Sequence, residues 1–243
     1  MSDAPGITFQ GTGRIAETPL FGPLSLEIGA GEWTCLLGAS GAGKTTILRL
    51  IAGLETGIRF EGTIRASDGG PVTDRIAYMA QSDLLMPWLD VTGNVLLGHR
   101  LRGSVADAAR ARAEDLIARV GLADDRAKRP KTLSGGMRQR AALARTLMED
   151  RPVVLLDEPF SALDARTRAE MQELAFDLLA GRTVLLVTHD PAEAARLGHR
   201  IYVMQAGDVR AIAPPASPPA RAHDAADAFQ CQSALMRLIR EAA

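Results

Sequence analysis

The stretch GASGAGKTT, residues 38–46, matches the pattern GxxxxGK[ST] and decides the prediction of the fold. Its residues are Gly38, Ala39, Ser40, Gly41, Ala42, Gly43, Lys44, Thr45 and Thr46. Backbone N–H groups can wrap an anion only where no side chain intrudes, which explains the glycines. The sequence therefore predicts a phosphate-binding loop, with the Lys44 ammonium against the β- and γ-phosphates and the Thr45 hydroxyl on Mg²⁺.

The segments on both sides of this loop fit the same structure. WTCLL, residues 33–37, is typical of a short buried strand, and TTILRLIAGL, residues 45–54, of an apolar helix. A helix that begins near Lys44 directs its positive end at the phosphate. The alternative is a glycine-rich turn with an incidental lysine, and the strand–loop–helix frame argues against it.

Length and composition bound the class of protein. The chain has 243 residues, which allows one large domain or a core with an inserted subdomain. Its 28 basic and 29 acidic side chains give a net charge of -1, which does not support binding to nucleic acid. The two cysteines are far apart in sequence and are expected to be free thiols in a reducing compartment. We predict no signal peptide and no membrane span.

Strands and helices alternate after the loop, as in α/β folds. VVLL, residues 153–156, and TVLLVT, residues 183–188, are continuous apolar runs, typical of parallel strands buried on both faces. Further strands are predicted at 7–10, 24–28, 75–79, 201–204 and 209–212, and helices at 137–148, 164–180 and 191–197. The first two of these strands predict a small antiparallel sheet before the core.

Two acidic residues follow the apolar run at 153–156. Asp157 ends that strand, so its carboxylate is expected at the carboxyl edge of the sheet, where it can hold Mg²⁺ through water. A solvated or helix-capping aspartate is the alternative, and the adjacent Glu158 argues against it. Glu158 can orient or deprotonate an attacking water.

Gln81 and His189 also follow predicted strands. The neutral amide of Gln81 can contact both a metal and the lytic water, and the His189 imidazole can donate a hydrogen bond to a γ-phosphate. A single glutamine is usually an ordinary loop residue and a single histidine is more often structural. Both assignments therefore depend on the motifs around them.

The remaining motifs identify a family. LSGG, residues 133–136, is followed by MRQR, and VVLLDEP, residues 153–159, is followed by SALD, residues 161–164. In this order the chain resembles the ATP-binding subunit of an ABC transporter, over about residues 7–212. The resemblance implies an α/β fold, a P-loop NTPase with a RecA-like core, a small N-terminal antiparallel β-subdomain and an inserted α-helical subdomain at about 84–148. We predict an ATPase domain at 1–213, and a Pro-rich linker and C-terminal helix at 214–243.

The resemblance also implies roles for single residues. Glu158 is the catalytic base, with His189 and Gln81 beside it, and Mg²⁺ is held by Thr45, Gln81 and Asp157. Ser134, Gly135 and Gly136 resemble the signature that closes over the γ-phosphate bound to another subunit. The expected assembly is a head-to-tail homodimer, or a dimer with a similar ATPase subunit, with two ATP molecules between the subunits and Asp164 at the interface.

The chain departs from the family at two positions. Family members often stack adenine on an aromatic ring, which alignment of the strands places near Ile15, and neither Phe9 nor Phe21 falls on that position. We expect weak stacking or an aliphatic contact there. Met137 stands where glutamine is commonest, and we expect little effect on ATP contact.

LLMPWLDVTGNV, residues 84–95, resembles a segment of the nitrate, sulfonate, taurine and pyrimidine-precursor importers. That resemblance implies transmembrane permease subunits, an external solute-binding protein acting through them, and a peripheral location on the cytoplasmic face of the inner membrane. Pro87 and Trp88 would shape the groove for a permease helix, or pack in the core. The solute would be of the nitrate, sulfonate, taurine or thiamine-precursor type. The alternatives are an efflux or lipoprotein-extraction ATPase, and a soluble ABC ATPase outside transport.

The last segment, residues 224–240, predicts an amphipathic helix. Its apolar face comprises Ala225, Phe229, Gln232, Met236 and Ile239. The helix is either a packing tail or a site for a partner.

Overall fold

The computed structural model describes residues 4–103 and 105–241, in two compact units. The first unit contains the chain up to Ile76, Pro152–Glu158 and the chain from Ala180 onward, and the second contains Ala77–Arg151 and Pro159–Leu179. The strands are β1 (Ile7–Ile15), β2 (Thr18–Ile28), β3 (Trp33–Gly38), β4 (Arg59–Ala66), β5 (Ile76–Met79), β6 (Val153–Asp157), β7 (Thr183–Thr188), β8 (Arg200–Gln205) and β9 (Asp208–Ile212). The helices are α1 (Lys44–Ile51), α2 (Val91–Val95), α3 (Leu97–Leu101), α4 (Asp107–Arg119), α5 (Gly135–Met148), α6 (Ala165–Leu178), α7 (Pro191–Leu197) and α8 (Ala226–Glu241). Residues 1–3 and 242–243, the ends of the two predicted domains, lie outside the described residues.

The first unit begins with a three-stranded antiparallel sheet in the order β2-β1-β4, which confirms the predicted N-terminal sheet. Strand β1 continues well past the predicted end at residue 10 because its glycines suit the pairing. A Cβ on Gly11 would lie 2.5 Å from the carbonyl oxygen of Glu61 on β4. Only glycine allows that approach, so a residue that usually interrupts strands is here part of one.

The main sheet of the first unit contains the strands β6-β7-β3-β8-β9 in that order. The first four strands run parallel and β9 pairs antiparallel with β8. Every residue of β3, β6 and β7 is buried, as predicted from their continuous apolar runs. Because parallel strands end at a common edge, Gly38, Asp157 and Thr188 meet at the same side of the sheet.

The second unit is mainly helical, and α5 packs against both α2 and α4. The segment that begins at Val91 forms the two short helices α2 and α3. The Asn94 side chain, fully buried, donates to the carbonyls of Met86, Leu89 and Asp90 and so fixes the turn before α2. Trp88 is 67% exposed, so the alternative prediction that this side chain packs in the core is wrong.

Helix α8 packs on α7 and β8 through a different face from the predicted one. Ala228 and Leu235 are buried, whereas Phe229 and Met236 are exposed. The Pro-rich segment is attached to the first unit, because the buried Arg221 guanidinium donates to the carbonyls of Pro215 and Gly198. In the part of the chain that the structure describes, no helix has both the length and the apolar character to cross a bilayer.

Candidate nucleotide-binding and hydrolysis site

The predicted phosphate loop connects β3 to α1 as the sequence indicates. Gly38 ends β3, and a Cβ there would lie 2.5 Å from the carbonyl oxygen of Met204 on β8. Gly41 and Gly43 have φ values of 82° and 101°, which favour glycine strongly. Three loop residues are exposed on the open side: Ala39, Ser40 and Gly41. The loop is therefore held by packing at one end and left accessible at its centre.

Lys44 begins α1 and directs its ammonium back into the loop. The Nζ atom donates to the carbonyls of Gly38, at 2.8 Å, and Ala39, at 2.9 Å. Burial lowers the Lys44 pKa, and the nearby carboxylates of Glu158 and Asp157 oppose that shift. The ammonium and the N-terminal end of the eight-residue helix together favour an anion at this place.

Asp157 lies at the end of β6, next to the first turn of α1. Its Oδ1 atom accepts a hydrogen bond of 3.2 Å from the Thr45 hydroxyl, although the two residues are 112 positions apart. Its side chain is 1% exposed, and Oδ2 has no hydrogen-bond partner among the described residues. Burial raises the Asp157 pKa. A buried carboxylate oxygen without a donor is costly unless a cation completes it.

Thr45 and Asp157 fit a magnesium ion. Both offer hard oxygen atoms, and Mg²⁺ is usually bound by one or two protein side chains together with phosphate oxygens and water. Within residues 4–103 and 105–241, no cluster of three or more His, Cys, Asp or Glu residues could hold a metal. Gln81, the third predicted ligand, belongs to the second unit and is exposed two residues after β5. Its contact with the metal stays a prediction.

Glu158 and His189 form a pair beside Asp157. His189 Nδ1 lies 3.0 Å from Glu158 Oε2, and the Glu158 amide donates to the Val187 carbonyl at 2.9 Å. Glu158 has a φ of 49°, a left-handed conformation that costs about 1–2 kcal/mol for a residue with a side chain. Such strain persists where the surrounding structure enforces it, often at functional sites. The structure thus brings the predicted base and the predicted histidine together.

Two residues that were not predicted support the segment around His189. The Thr188 hydroxyl donates to Glu193 Oε2 at 2.7 Å and accepts from the Asp190 amide at 3.0 Å. Thr188 and Glu193 are both buried. The available signal in the sequence was an acidic residue in the first turn of a short, alanine-rich helix.

The signature residues form the N-terminal end of α5 in the second unit. The Ser134 hydroxyl caps that helix by accepting from the Met137 amide at 3.2 Å. Ser134 and Gly135 are exposed, and an added Cβ on Gly135 would have no neighbour closer than 3.9 Å. Gly136 is more confined, since its added Cβ would lie 3.3 Å from Leu163. The helix end is open to a ligand from outside the chain.

The SALD segment, residues 161–164, is attached to α5 within the same unit. The buried Gln139 side chain donates to the Ser161 hydroxyl at 3.3 Å and accepts from the Ala162 amide at 2.8 Å. Asp164 caps α6 by accepting from the Thr167 amide, which holds the Asp164 pKa below its ordinary value. The signature helix and this segment therefore form one connected structure.

The position expected to contact adenine carries an aliphatic side chain. Ile15 is 54% exposed at the end of β1, whereas Phe9 and Phe21 are buried with their ring centroids 6.0 Å apart. Strand β2 approaches the phosphate loop, because a Cβ on Gly43 would lie 3.3 Å from the Phe21 ring. Neither phenylalanine is available to a base, which agrees with the sequence analysis.

Comparison with known proteins decides the family. The family profile described as ABC transporter matches residues 21–161, more than half of the chain. The chain belongs to the ABC transporter family. It is 45% identical over 194 residues to an uncharacterized ABC transporter ATP-binding protein of Haemophilus influenzae, covering 80% of this chain and 79% of that one. It is 44% identical over 191 residues to an aliphatic sulfonates import ATP-binding protein of Agrobacterium fabrum, covering 76% and 70%.

Solved ABC structures have the same fold. A dimeric ATP-binding cassette in a post-hydrolysis state with ADP and Pi has a TM-score of 0.75 and 29% identity, covering 89% of this chain and 99% of that one. A bacterial ABC exporter with ATP bound has a TM-score of 0.74 and 26% identity, covering 86% of this chain and 39% of the exporter. The chain is thus a P-loop NTPase of the ABC class, an ATP-binding subunit that hydrolyses ATP to drive transport.

Proposed function

We propose that this chain powers the import of a small solute of the nitrate, sulfonate, taurine or thiamine-precursor type. The observation that carries the mechanism is the buried Asp157 carboxylate, which is bonded to Thr45 through one oxygen and has no hydrogen-bond partner among the described residues at the other. Import rather than efflux is supported by two relatives of this chain, one from Agrobacterium fabrum and one from Delftia acidovorans. Both are 44% identical to it and both are named aliphatic sulfonates import ATP-binding proteins.

The proposed chemistry follows from the positions of the side chains. The loop amides and Lys44 bind the triphosphate, and Ile15 contacts the base. A magnesium ion held by Thr45 and Asp157 would neutralise developing phosphate charge. Glu158 orients the attacking water and accepts its proton, while His189 donates to the γ-phosphate. The 3.0 Å contact of His189 with Glu158 allows both groups to act on one water molecule.

The proposed assembly supplies what one site lacks. Ser134, Gly135 and Gly136 present helix amides and a hydroxyl to the γ-phosphate bound by a second copy, or by a similar ATPase subunit. Gln81 completes the metal and water contacts. Closure of this dimer on ATP, and its opening after hydrolysis, would drive alternating access in the membrane partners. A dimer in the structure of the cassette with ADP and Pi supports this arrangement.

The proposed boundaries and location follow from the same assembly. We assign residues 1–213 to the ATPase domain, with the helical subdomain at about 84–148, and residues 214–243 to a C-terminal extension. The subunit is peripheral on the cytoplasmic face of the inner membrane and binds permease subunits there. An external solute-binding protein acts on it only through those subunits. Nucleic acid is not a partner.

The first experiment measures ATP-dependent dimerisation by light scattering, with wild type and Glu158→Gln. We expect Glu158→Gln to lack hydrolysis and to form a stable dimer with Mg²⁺-ATP, because a closed dimer that cannot hydrolyse its ATP does not open. A monomer at every ATP concentration, despite ATP binding in a titration, would contradict the composite site.

The direction of transport is tested by co-purifying the permease and measuring whether sulfonate on the external face stimulates ATP hydrolysis. If only sulfonate on the ATPase side of the membrane stimulates ATP hydrolysis, the result would support efflux.

A further inference from the structure

Glu193 is a buried carboxylate that the proposed chemistry does not use. Its side chain is 3% exposed, in the first turn of α7. It lies close enough to the buried Cys35 thiol on β3 to help raise the pKa of that thiol, after the larger effect of burial. Burying a carboxylate is unfavourable unless its hydrogen bonds compensate. We therefore examined which groups the Glu193 carboxylate binds.

The contacts of Glu193 lead directly to His189. Glu193 Oε2 accepts from the Thr188 hydroxyl at 2.7 Å, and the same hydroxyl oxygen accepts from the Asp190 amide at 3.0 Å. Asp190 is in turn fixed because its Oδ1 accepts from the Ala192 amide at 2.8 Å. His189 is thus flanked on both sides by backbone that this chain of hydrogen bonds holds in place.

The side chain of His189 has the opposite environment. It is 56% exposed, whereas Thr188 beneath it is 2% exposed. An exposed imidazole samples many rotamers unless its backbone is fixed and a partner restrains it. The observed 3.0 Å contact with Glu158 is close to the ideal hydrogen-bond length, and a shift of about 1 Å would weaken it strongly.

We propose that Glu193 and Thr188 are positioning residues for hydrolysis, which set the His189 backbone so that its imidazole meets both Glu158 and the γ-phosphate. This inference rests on the proposed role of His189. Donation to Glu193 turns the hydroxyl hydrogen away from the Asp190 amide and leaves a lone pair to accept from it, so the carboxylate orients the hydroxyl and the hydroxyl orients the loop. A purely structural role, in which the pair only attaches α7 to the sheet, makes a different prediction.

The test compares Thr188→Val with Thr188→Ser, each in the wild-type and the His189→Ala background. Valine keeps the branched shape on the buried strand and lacks the hydroxyl, whereas serine keeps the hydroxyl. The single-turnover rate of ATP hydrolysis and the ATP dissociation constant are measured for each. We expect Thr188→Val to lower the rate about 10-fold, with ATP affinity within about twofold of wild type. Thr188→Ser should stay within about threefold in rate.

The His189→Ala background separates the two explanations. If Thr188 acts through His189, Thr188→Val will cause no further loss once His189 is absent. An equal fold-loss in both backgrounds, or a loss in ATP affinity with an unchanged rate, would overturn the inference. A His189→Ala variant with the wild-type rate would instead refute the proposed role of His189 itself.

Variants of Glu193 make the test independent of how well Thr188→Val folds. Glu193→Gln keeps an oxygen that can accept from Thr188 and should keep the rate within about threefold. Glu193→Met has a similar length without an acceptor and should repeat the roughly 10-fold loss, again only when His189 is present. Thermal unfolding of each variant checks that the folded fraction is the same. If Glu193→Gln and Glu193→Met reduce the rate by the same factor, the loss is not caused by removal of the hydrogen-bond acceptor at residue 193, and the inference is wrong.

Discussion

At the scale of single residues, Asp157 should destabilise the fold that it serves. Because burial raises its pKa, the charged form is disfavoured in the folded chain. We expect Asp157→Asn to raise the melting temperature, since the neutral amide can still accept from Thr45, while it reduces Mg²⁺-ATP hydrolysis at least about 100-fold. Calorimetry and a phosphate-release assay measure the two effects. The exposed Asp177 on α6 provides the control, because Asp177→Asn should change neither.

The same carboxylate predicts opposite pH dependences for stability and for metal binding. Between the ordinary aspartate pKa of 3.8 and the raised value, the folded state binds more protons than the unfolded state. The contribution of Asp157 to stability therefore falls as pH rises through its folded-state pKa. Magnesium requires the carboxylate, so Mg²⁺-dependent ATP binding should weaken as pH falls through that value. Titrations over this range should show both trends in wild type and neither in Asp157→Asn.

Glu158 allows backbone strain to be separated from chemistry. Its φ of 49° is unfavourable for any residue with a Cβ. We expect Glu158→Gly to be about 1 kcal/mol more stable than Glu158→Gln, because glycine relieves the strain and glutamine does not. Both variants should lose hydrolysis. Equal stabilities in urea unfolding would show that the left-handed conformation carries no measurable cost.

At the scale of elements, two glycines of the same loop have different reasons to be glycine. A Cβ on Gly38 would meet the Met204 carbonyl at 2.5 Å, whereas a Cβ on Gly41 would have no neighbour within 4 Å. We expect Gly38→Ala to destabilise the fold at the strand–loop junction by about 1–3 kcal/mol, in addition to any backbone strain. Gly41→Ala should cost only about 1 kcal/mol, from its φ of 82°. Urea unfolding of the two variants compares them directly, and equal losses would contradict the packing argument.

The same scale shows why the sequence predicts some features and not others. The pairing of Thr45 with Asp157 was predictable, because parallel strands end at one edge. Asp157 ends β6 at that edge, and the phosphate loop leads from the end of β3 to Thr45 in the first turn of α1. The exposure of Trp88 was not, since a local apolar run does not tell which neighbours cover it. The buried face of α8 was missed for a similar reason. Its contacts with α7 are chosen by tertiary packing, and they select Ala228 and Leu235 over Phe229.

The support beneath His189 belongs to the features that sequence alone does not give. The spacing of Thr188 and Glu193 indicates a strand end and a helix start, and both elements were predicted. Their hydrogen bond depends on how closely that turn is folded, which no periodicity encodes. Which residues lie together, such as Thr45 with Asp157 and Glu158 with His189, was thus predictable from the motifs, whereas the hydrogen bonds that position them were not.

At the scale of the whole molecule, the motifs are divided between the two units of one chain. The phosphate loop, Asp157, Glu158 and His189 belong to the first unit, and the signature at Ser134 belongs to the second. Each unit has its own supports, since Gln139 holds residues 161–162 within the second unit. If a second copy completes each site, a defect in the first unit of one copy and a defect in the second unit of the other copy should leave one site of the dimer intact.

This division leads to a complementation prediction. Lys44→Ala should abolish triphosphate binding by its own loop, and Ser134→Arg should block its own signature, so each homodimer is expected to have less than about 1% of wild-type hydrolysis. In a mixture, the loop of the Ser134→Arg chain meets the signature of the Lys44→Ala chain, and one intact site forms per mixed dimer. Random pairing makes half of all dimers mixed, so hydrolysis should recover to roughly a quarter of the wild-type rate. A phosphate-release assay at several mixing ratios measures this recovery, and mixing Lys44→Ala with Lys44→Ala/Ser134→Arg provides the control without an intact site. If the mixture stays as inactive as that control, the signature does not act across a subunit boundary, and each chain must complete its own site.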